Sequence, residues 1–249
     1  MRNPEWWREG EYFTLSYLDE PTACANLRFV FAQCDFLERT LPSSRKFSIL
    51  DSPCGVGQVS IEMRKRGHIT TGVDINNQYL TLARKRASEL SVCVPFILGD
   101  VRTLPFVDTM FDAVLSLGTS IGYFSTEEEN LKVFKEMARV VKPLGKVLIE
   151  TWTSDTKDEG EQEFIQKLSN GETVKTRSWS KNSRVYMTQE RCGKIVAIDH
   201  QVYSEKSLQD ICLSVGLRAV RTYYTDYWKW VETPQDESYR RVSIFQKLP

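Results

Sequence analysis

Residues 47–74, FSILDSPCGVGQVSIEMRKRGHITTGVD, decide the fold. The apolar run Phe47–Leu50 ends in an acid, Asp51, and a tight Gly55-Val56-Gly57 turn follows. A helical stretch comes next, then a second apolar run that closes on Asp74. The order is strand, turn, helix, strand, with a carboxylate at the tip of each strand. Such a unit opens a parallel sheet with helices on its faces.

The turn admits three readings. A tight loop at a buried strand end wants glycine whether or not anything binds, and both acids then act as caps. A dinucleotide site would place G-x-G-x-x-G directly after the strand, to cradle a pyrophosphate. Here the third glycine position is Ser60, and Asp51 would repel a phosphate. A carboxylate at that place welcomes a cation instead. S-adenosylmethionine (SAM) carries an ammonium and a sulfonium and no phosphate. Asp74 stands at the spacing where an acid takes ribose hydroxyls.

Further along, Leu98-Gly99-Asp100-Val101, Phe111-Asp112-Ala113-Val114 and Val140-Val141-Lys142-Pro143-Leu144-Gly145 follow in order. With Asp51-Ser52-Pro53-Cys54-Gly55-Val56-Gly57 and Gly72-Val73-Asp74, this series resembles the motifs of class I SAM-dependent methyltransferases. Thr119-Ser120-Ile121-Gly122-Tyr123-Phe124 is similar to the T-S-F-G-Y-F signature of a bacterial small-molecule family within them. The resemblance covers nearly the whole chain. It specifies the reaction well and the substrate poorly. It implies cofactor contacts at Asp51, Gly55, Gly57, Asp74, Ile75, Asp100, Val101 and Leu117, with Tyr12 and Tyr17 laid over the cofactor. It implies an acceptor pocket at Thr119, Tyr123 and Trp152.

Composition bounds the partners. The chain has 249 residues, enough for one large α/β domain with an insertion. Lys+Arg and Asp+Glu are both 33, so the electrostatic footprint of a nucleic-acid binder is absent. No apolar run is long enough to span a bilayer. The start, Met1-Arg2-Asn3-Pro4-Glu5-Trp6-Trp7, does not read as a signal peptide. Six cysteines form no C-x-x-C pair and there are only two histidines, so no metal site is expected. A reducing cytoplasm suits these thiols.

The expected fold is α/β: a Rossmann-like, seven-stranded, mostly parallel sheet with its last strand antiparallel. A small inserted antiparallel sheet and an N-terminal helical cap complete it. The segments are a cap at 1–42, a SAM-binding core at 43–152, an inserted lid at 153–203 and the C-terminal part of the core sheet at 204–249. Strands are expected near 47–51, 69–74, 94–98, 111–117, 145–151, 217–224 and 241–247. Helices are expected near 22–41, 57–66, 76–90, 126–141 and 205–215. The polar stretch 153–174 reads as helical at most in part. From 175 to 203 the period changes to two, with turns at Asn182-Ser183 and Cys192-Gly193-Lys194.

Several residues invite chemistry and also have plain readings. Cys54 follows a proline, as the nucleophile of cytosine-5 methyltransferases does. There, however, the pair follows the fourth strand, so Cys54 reads as a small packed residue. Tyr123 and His200 are the candidate catalytic groups, with a surface or structural histidine as the plain alternative. Where the resembled family often has R-x-Y, Gln201-Val202-Tyr203 stands here, and a charge is lost. Tyr223, Tyr224, Asp226, Tyr227, Trp228 and Trp230 suit a lid or a homodimer contact. The expected function is SAM-dependent methyl transfer to N or O of a small molecule, without nucleic acid or membrane. The alternatives are an RNA-modifying methyltransferase of the same fold and a non-catalytic SAM-binding protein.

Overall fold

The computed structural model describes residues 5–8, 10–19, 27–41, 46–153, 160–168, 171–225, 230–233 and 240–249. Five helices are described: α1 (Leu27–Thr40), α2 (Gln58–Lys65), α3 (Asn77–Glu89), α4 (Glu127–Val140) and α5 (Glu205–Ser214). The first five strands are β1 (Ser48–Asp51), β2 (Ile69–Asp74), β3 (Phe96–Leu98), β4 (Phe111–Ser116) and β5 (Val141–Trp152). Then come β6 (Gln162–Lys167), β7 (Thr173–Lys181), β8 (Arg184–Arg191) and β9 (Lys194–Gln201). The last three are β10 (Leu217–Thr225), β11 (Trp230–Val231) and β12 (Arg240–Lys247).

The main sheet has the order β11-β10-β12-β5-β4-β1-β2-β3. Strands β1 to β5 pair in parallel, and β12 runs antiparallel to both β5 and β10. Strand β1 lies between β2 and β4, so the chain leaves it toward both edges. This is a topological switch point, where ligands of open α/β sheets bind beyond the strand C-termini.

The central strands are buried on both faces, which is why SILD and FDAVLS read as nearly continuous apolar runs. Alternate residues serve opposite layers. Ile49, Leu115 and Leu148 pack with Val30, Cys34 and Leu37 of α1. Leu50, Val114 and Ile149 pack with Phe134 of α4 and Leu208 of α5. Helix starts are set by side chains: Asn76 accepts from the Tyr79 N–H at 3.1 Å, and Thr126 accepts from the Glu129 N–H at 3.2 Å.

Strands β6 to β9 form a separate antiparallel sheet. The change of period at 175–203 is thus a change of sheet. Four features differ from the sequence reading. First, 162–167 is a strand rather than helix or loop. Its inward residues are mostly glutamines, so alternation of hydrophobicity is weak. Second, β5 begins at Val141. Its pairing with β4 jumps from Phe111–Val141 to Ala113–Lys146, so the Lys142–Gly145 turn lies within the strand as an irregularity. A Cβ on Gly145 would sit 2.8 Å from the Lys142 carbonyl oxygen, which excludes other residues. Third, the short β11 makes the main sheet eight-stranded. Fourth, Trp230 stacks on Phe36 of α1 at 4.3 Å and Tyr223 meets the same ring edge-on at 5.0 Å. These two aromatics, both half-buried, pack against the α1 side of the core. Asp226, Tyr227 and Trp228 lie outside the described residues.

Candidate active site

A cavity of about 1100 Å³ opens at the C-terminal ends of β1, β2 and β4. That exceeds the usual size for one small ligand and leaves room for a second. Asp51, Gly55, Asp74, Ile75, Asp100, Val101 and Leu117 line one half, beneath Tyr12 and Tyr17. Thr119, Tyr123, Trp152 and His200 line it toward the second sheet.

Gly57 is the exception, because it faces away from the cavity. A Cβ there would lie 2.5 Å from Phe96 Cζ and 2.9 Å from Ala83 Cβ. Close packing of the turn on β3 and α3 is what demands glycine here. Gly55 behaves oppositely. It has φ of +53° and its Cβ would meet nothing within 4 Å, so a side chain would project into the cavity.

The two strand-tip acids are held in place by the turn. Asp74 accepts from the Gly55 N–H at 2.8 Å and from the Asn76 N–H at 2.9 Å. It therefore caps the turn before α3 and still presents its carboxylate to the cavity. Ser60 donates to Asp51 at 2.6 Å. Burial pushes Asp51 up to about 7 and Asp74 up to about 6, against the hydrogen bonds each receives. Each charge also raises the cost of the other, since Asp74 adds to the shift on Asp51. Two desolvated acids held above their usual range are a poor finish for a free surface and a good one for a cationic ligand.

Asp100 is committed to Arg102. The guanidinium donates from Nη2 at 2.6 Å and from Nε at 3.1 Å, and the Arg102 N–H donates at 2.8 Å. Burial raises this carboxyl, but the Arg102 hydrogen bonds outweigh it and hold it below the usual range. Asp100 is thus both a turn cap and a cavity wall. Cys54 is half-buried beside Asp51 and Asp74, and desolvation followed by those charges drives its thiol well up. It is a packed residue and no nucleophile.

His200 is half-buried, and its Nε2 is buried with no hydrogen-bond partner. Burial, with the Arg184 charge, lowers it to about 4, so the imidazole is neutral at pH 7. The Gln201 N–H donates to the Gly122 carbonyl at 2.7 Å, which docks β9 on the loop after β4. His200 and Tyr123 then stand with ring centroids 6.4 Å apart.

Three groups carry no sequence signal of their role. Trp6 packs 4.7 Å from Tyr123 and 5.9 Å from Tyr12, and donates from Nε1 to the Asp199 carbonyl at 3.0 Å. Trp7 lies under the Arg102 guanidinium at 5.1 Å. Asn76 and Tyr79 donate to the Phe13 and Thr14 carbonyls at 2.7 and 2.9 Å, so the arm is tied down over the β2 tip. The third is a buried ion pair, Glu150–Arg240 at 3.1 Å. Glu150 also accepts from Gln33 and from the Gly118 N–H, and Arg240 lies 5.0 Å over Trp152.

Comparison with known proteins agrees with this geometry. Residues 49–145 match the family model for a methyltransferase domain. A putative methyltransferase of Bacillus subtilis (strain 168), YqeM, is 34% identical over 119 residues, 48% of this chain and 47% of that protein. The probable tRNA methyltransferase 9B of Mus musculus is 36% identical over 123 residues, 49% of this chain and 25% of that protein. The chain thus spans half or less of these relatives. The crystal structure of a SAM-dependent methyltransferase from Clostridium acetobutylicum ATCC 824 superposes with a TM-score of 0.73 at 13% identity, over 88% of this chain and 92% of that one. The fold is the Rossmann-like methyltransferase fold. Among the described residues no helix is long and apolar enough to cross a membrane, and no cluster of ligands could hold a metal ion.

Proposed function

We propose that this chain is a SAM-dependent methyltransferase that methylates N or O of a small molecule. The observation that carries the reading is the pair of buried acids, Asp51 and Asp74, flanking the open space over Gly55. The fit is chemical as well as spatial. The ammonium answers the desolvated carboxylate of Asp51, ribose hydroxyls answer that of Asp74, and the unfilled Cβ position of Gly55 leaves room for the ligand.

When bound, SAM supplies a methyl group already activated for in-line displacement. In this reading Asp74 takes the ribose hydroxyls, with its carboxylate aimed by the Gly55 and Asn76 N–H groups. Asp51 takes the cationic end, and Asp100 with Val101 borders the adenine. Tyr12 and Tyr17 offer aromatic faces to the sulfonium. Thr119, Tyr123 and Trp152 border the acceptor and exclude water. A neutral His200 is a hydrogen-bond partner rather than a general base tuned to the working pH. Catalysis then comes mainly from positioning and desolvation. A cytoplasmic setting goes with this reading; the five described cysteines are free thiols.

The acids give a pH signature with two opposite signs. Both have folded values above the unfolded one, so their contribution to the stability of the free protein is greatest in acid. It is lost as pH rises toward about 7. A cationic ligand favours the ionised acids, so SAM should raise the melting temperature more at pH 8 than at pH 5.5. Scanning calorimetry with and without SAM checks both signs, and a pH-independent SAM shift would remove these acids from the site.

The runner-up acceptor is RNA, because a relative matching 49% of this chain is a probable tRNA methyltransferase. Methyl-labelled SAM offered side by side to a metabolite pool and to total RNA separates the two. Label is expected in the metabolite pool. Label in RNA alone would replace the small-molecule reading with the runner-up.

A further inference from the structure

Where it borders the cavity, the inward face of β6–β9 is uncharged and mixes polar side chains with Phe164, Val185, Met187 and Ile198. Gln162, Gln166, Thr176, Ser178, Gln189 and His200 all border the cavity. The period of two puts charges of β6 and β7 on the opposite face, where Glu163 pairs with Lys175 at 3.0 Å and with Arg177 at 2.7 Å. Among the described residues one cation borders the cavity, Arg240. It is 3% exposed and paired to Glu150, which is fully buried. A phosphate or carboxylate entering here would be stripped of water and would have to compete with Glu150 for that guanidinium. An ammonium would find no carboxylate on the inward face of the second sheet. The acids at the strand tips lie on the cofactor half.

His200 adds a specific demand. Its Nε2 is buried without a partner at the wall of this half, next to Tyr123. Buried polar atoms are rarely left so, and a bound molecule is the ready source of the missing bond. We infer that the acceptor is an uncharged molecule whose hydroxyl, phenol, amide or ring N–H donates to His200 Nε2, with the glutamines of the second sheet binding its polar edges. This rests on the methyltransferase reading above and narrows it to an acceptor class.

A metabolite extract, split by ion exchange at neutral pH into neutral, anionic and cationic fractions, is incubated with the full chain and methyl-tritiated SAM. Label is expected in the neutral fraction. In His200→Phe the transfer should fall on the order of tenfold, as a lost buried hydrogen bond implies. SAM affinity should stay unchanged by calorimetry, and His200→Gln should recover part of the transfer. Label confined to the anionic or cationic fraction, or absent from the neutral one, overturns the acceptor class. Full transfer by His200→Phe overturns the role of Nε2. Failure of the wild-type chain to bind SAM is read separately, and it sinks the methyltransferase reading itself.

Discussion

Glu150→Ala is expected to destabilise the fold by about 3–5 kcal/mol, the range for breaking a buried ion pair from one side. Glu150 is fully buried on β5. Its carboxylate accepts from Arg240 at 3.1 Å, from Gln33 at 3.1 Å and from the Gly118 N–H at 2.8 Å. Alanine would strip this carboxylate from a guanidinium side chain that is 3% exposed and orphan a backbone donor. For a chain of this size, a loss of that order lowers the melting temperature by roughly 10 °C or more. Glu150→Gln keeps an acceptor for Gly118 and Gln33 and should cost less. A loss under about 1 kcal/mol for Glu150→Ala, as for an exposed pair, would contradict the burial described here.

The two glycines of the turn should fail in different ways. Gly57→Ala drives a Cβ to 2.5 Å from the Phe96 ring, at φ of +73°. Overpacking of about 1–3 kcal/mol adds to about 1–2 kcal/mol for a left-handed residue, so melting should fall by several degrees to about 15 °C. Gly55→Ala carries the left-handed strain without the clash, since nothing lies within 4 Å. Its melting point should fall by only a few degrees, while its methyl occupies space in the proposed cofactor site. Thermal melts of both variants distinguish a packing glycine from a cavity glycine. Equal losses of stability would undo the distinction.

Much of this was legible because it is local. The acids Asp51 and Asp74 and the turn between them belong to one strand–turn–helix–strand unit, and the order of apolar runs, acids and glycines marks the C-terminal ends of its two strands. The antiparallel strands from 175 to 203 were legible from their period of two. What escaped depends on distant parts of the chain. Gly57 resembles a ligand glycine in the motif, yet its neighbour is Phe96, 39 residues on. Glu150 and Arg240 meet across 90 residues, through the antiparallel register that sets Arg240 opposite Trp152 and Val242 opposite Glu150. Strand β6 was hidden because Gln162 and Gln166 flank Phe164 on its inward side and Ile165 stands between charges on the other, so neither face looks apolar. Nothing near Trp6 and Trp7 in the sequence names what buries them, since Asp199 of β9, Tyr123, Phe124 and Arg102 all lie far along the chain.

The most direct measurement is a calorimetric titration of SAM into the full chain and into Gly55→Val at pH 8. The wild-type chain is expected to bind one equivalent in the micromolar range, roughly −8 kcal/mol. Gly55→Val should show no measurable binding, because a side chain at that position fills the space between Asp51 and Asp74. A circular-dichroism spectrum matching the wild type certifies that the variant is folded. Absence of SAM binding by the wild-type chain, or undiminished binding by a folded Gly55→Val, would contradict the assignment of this cavity to SAM.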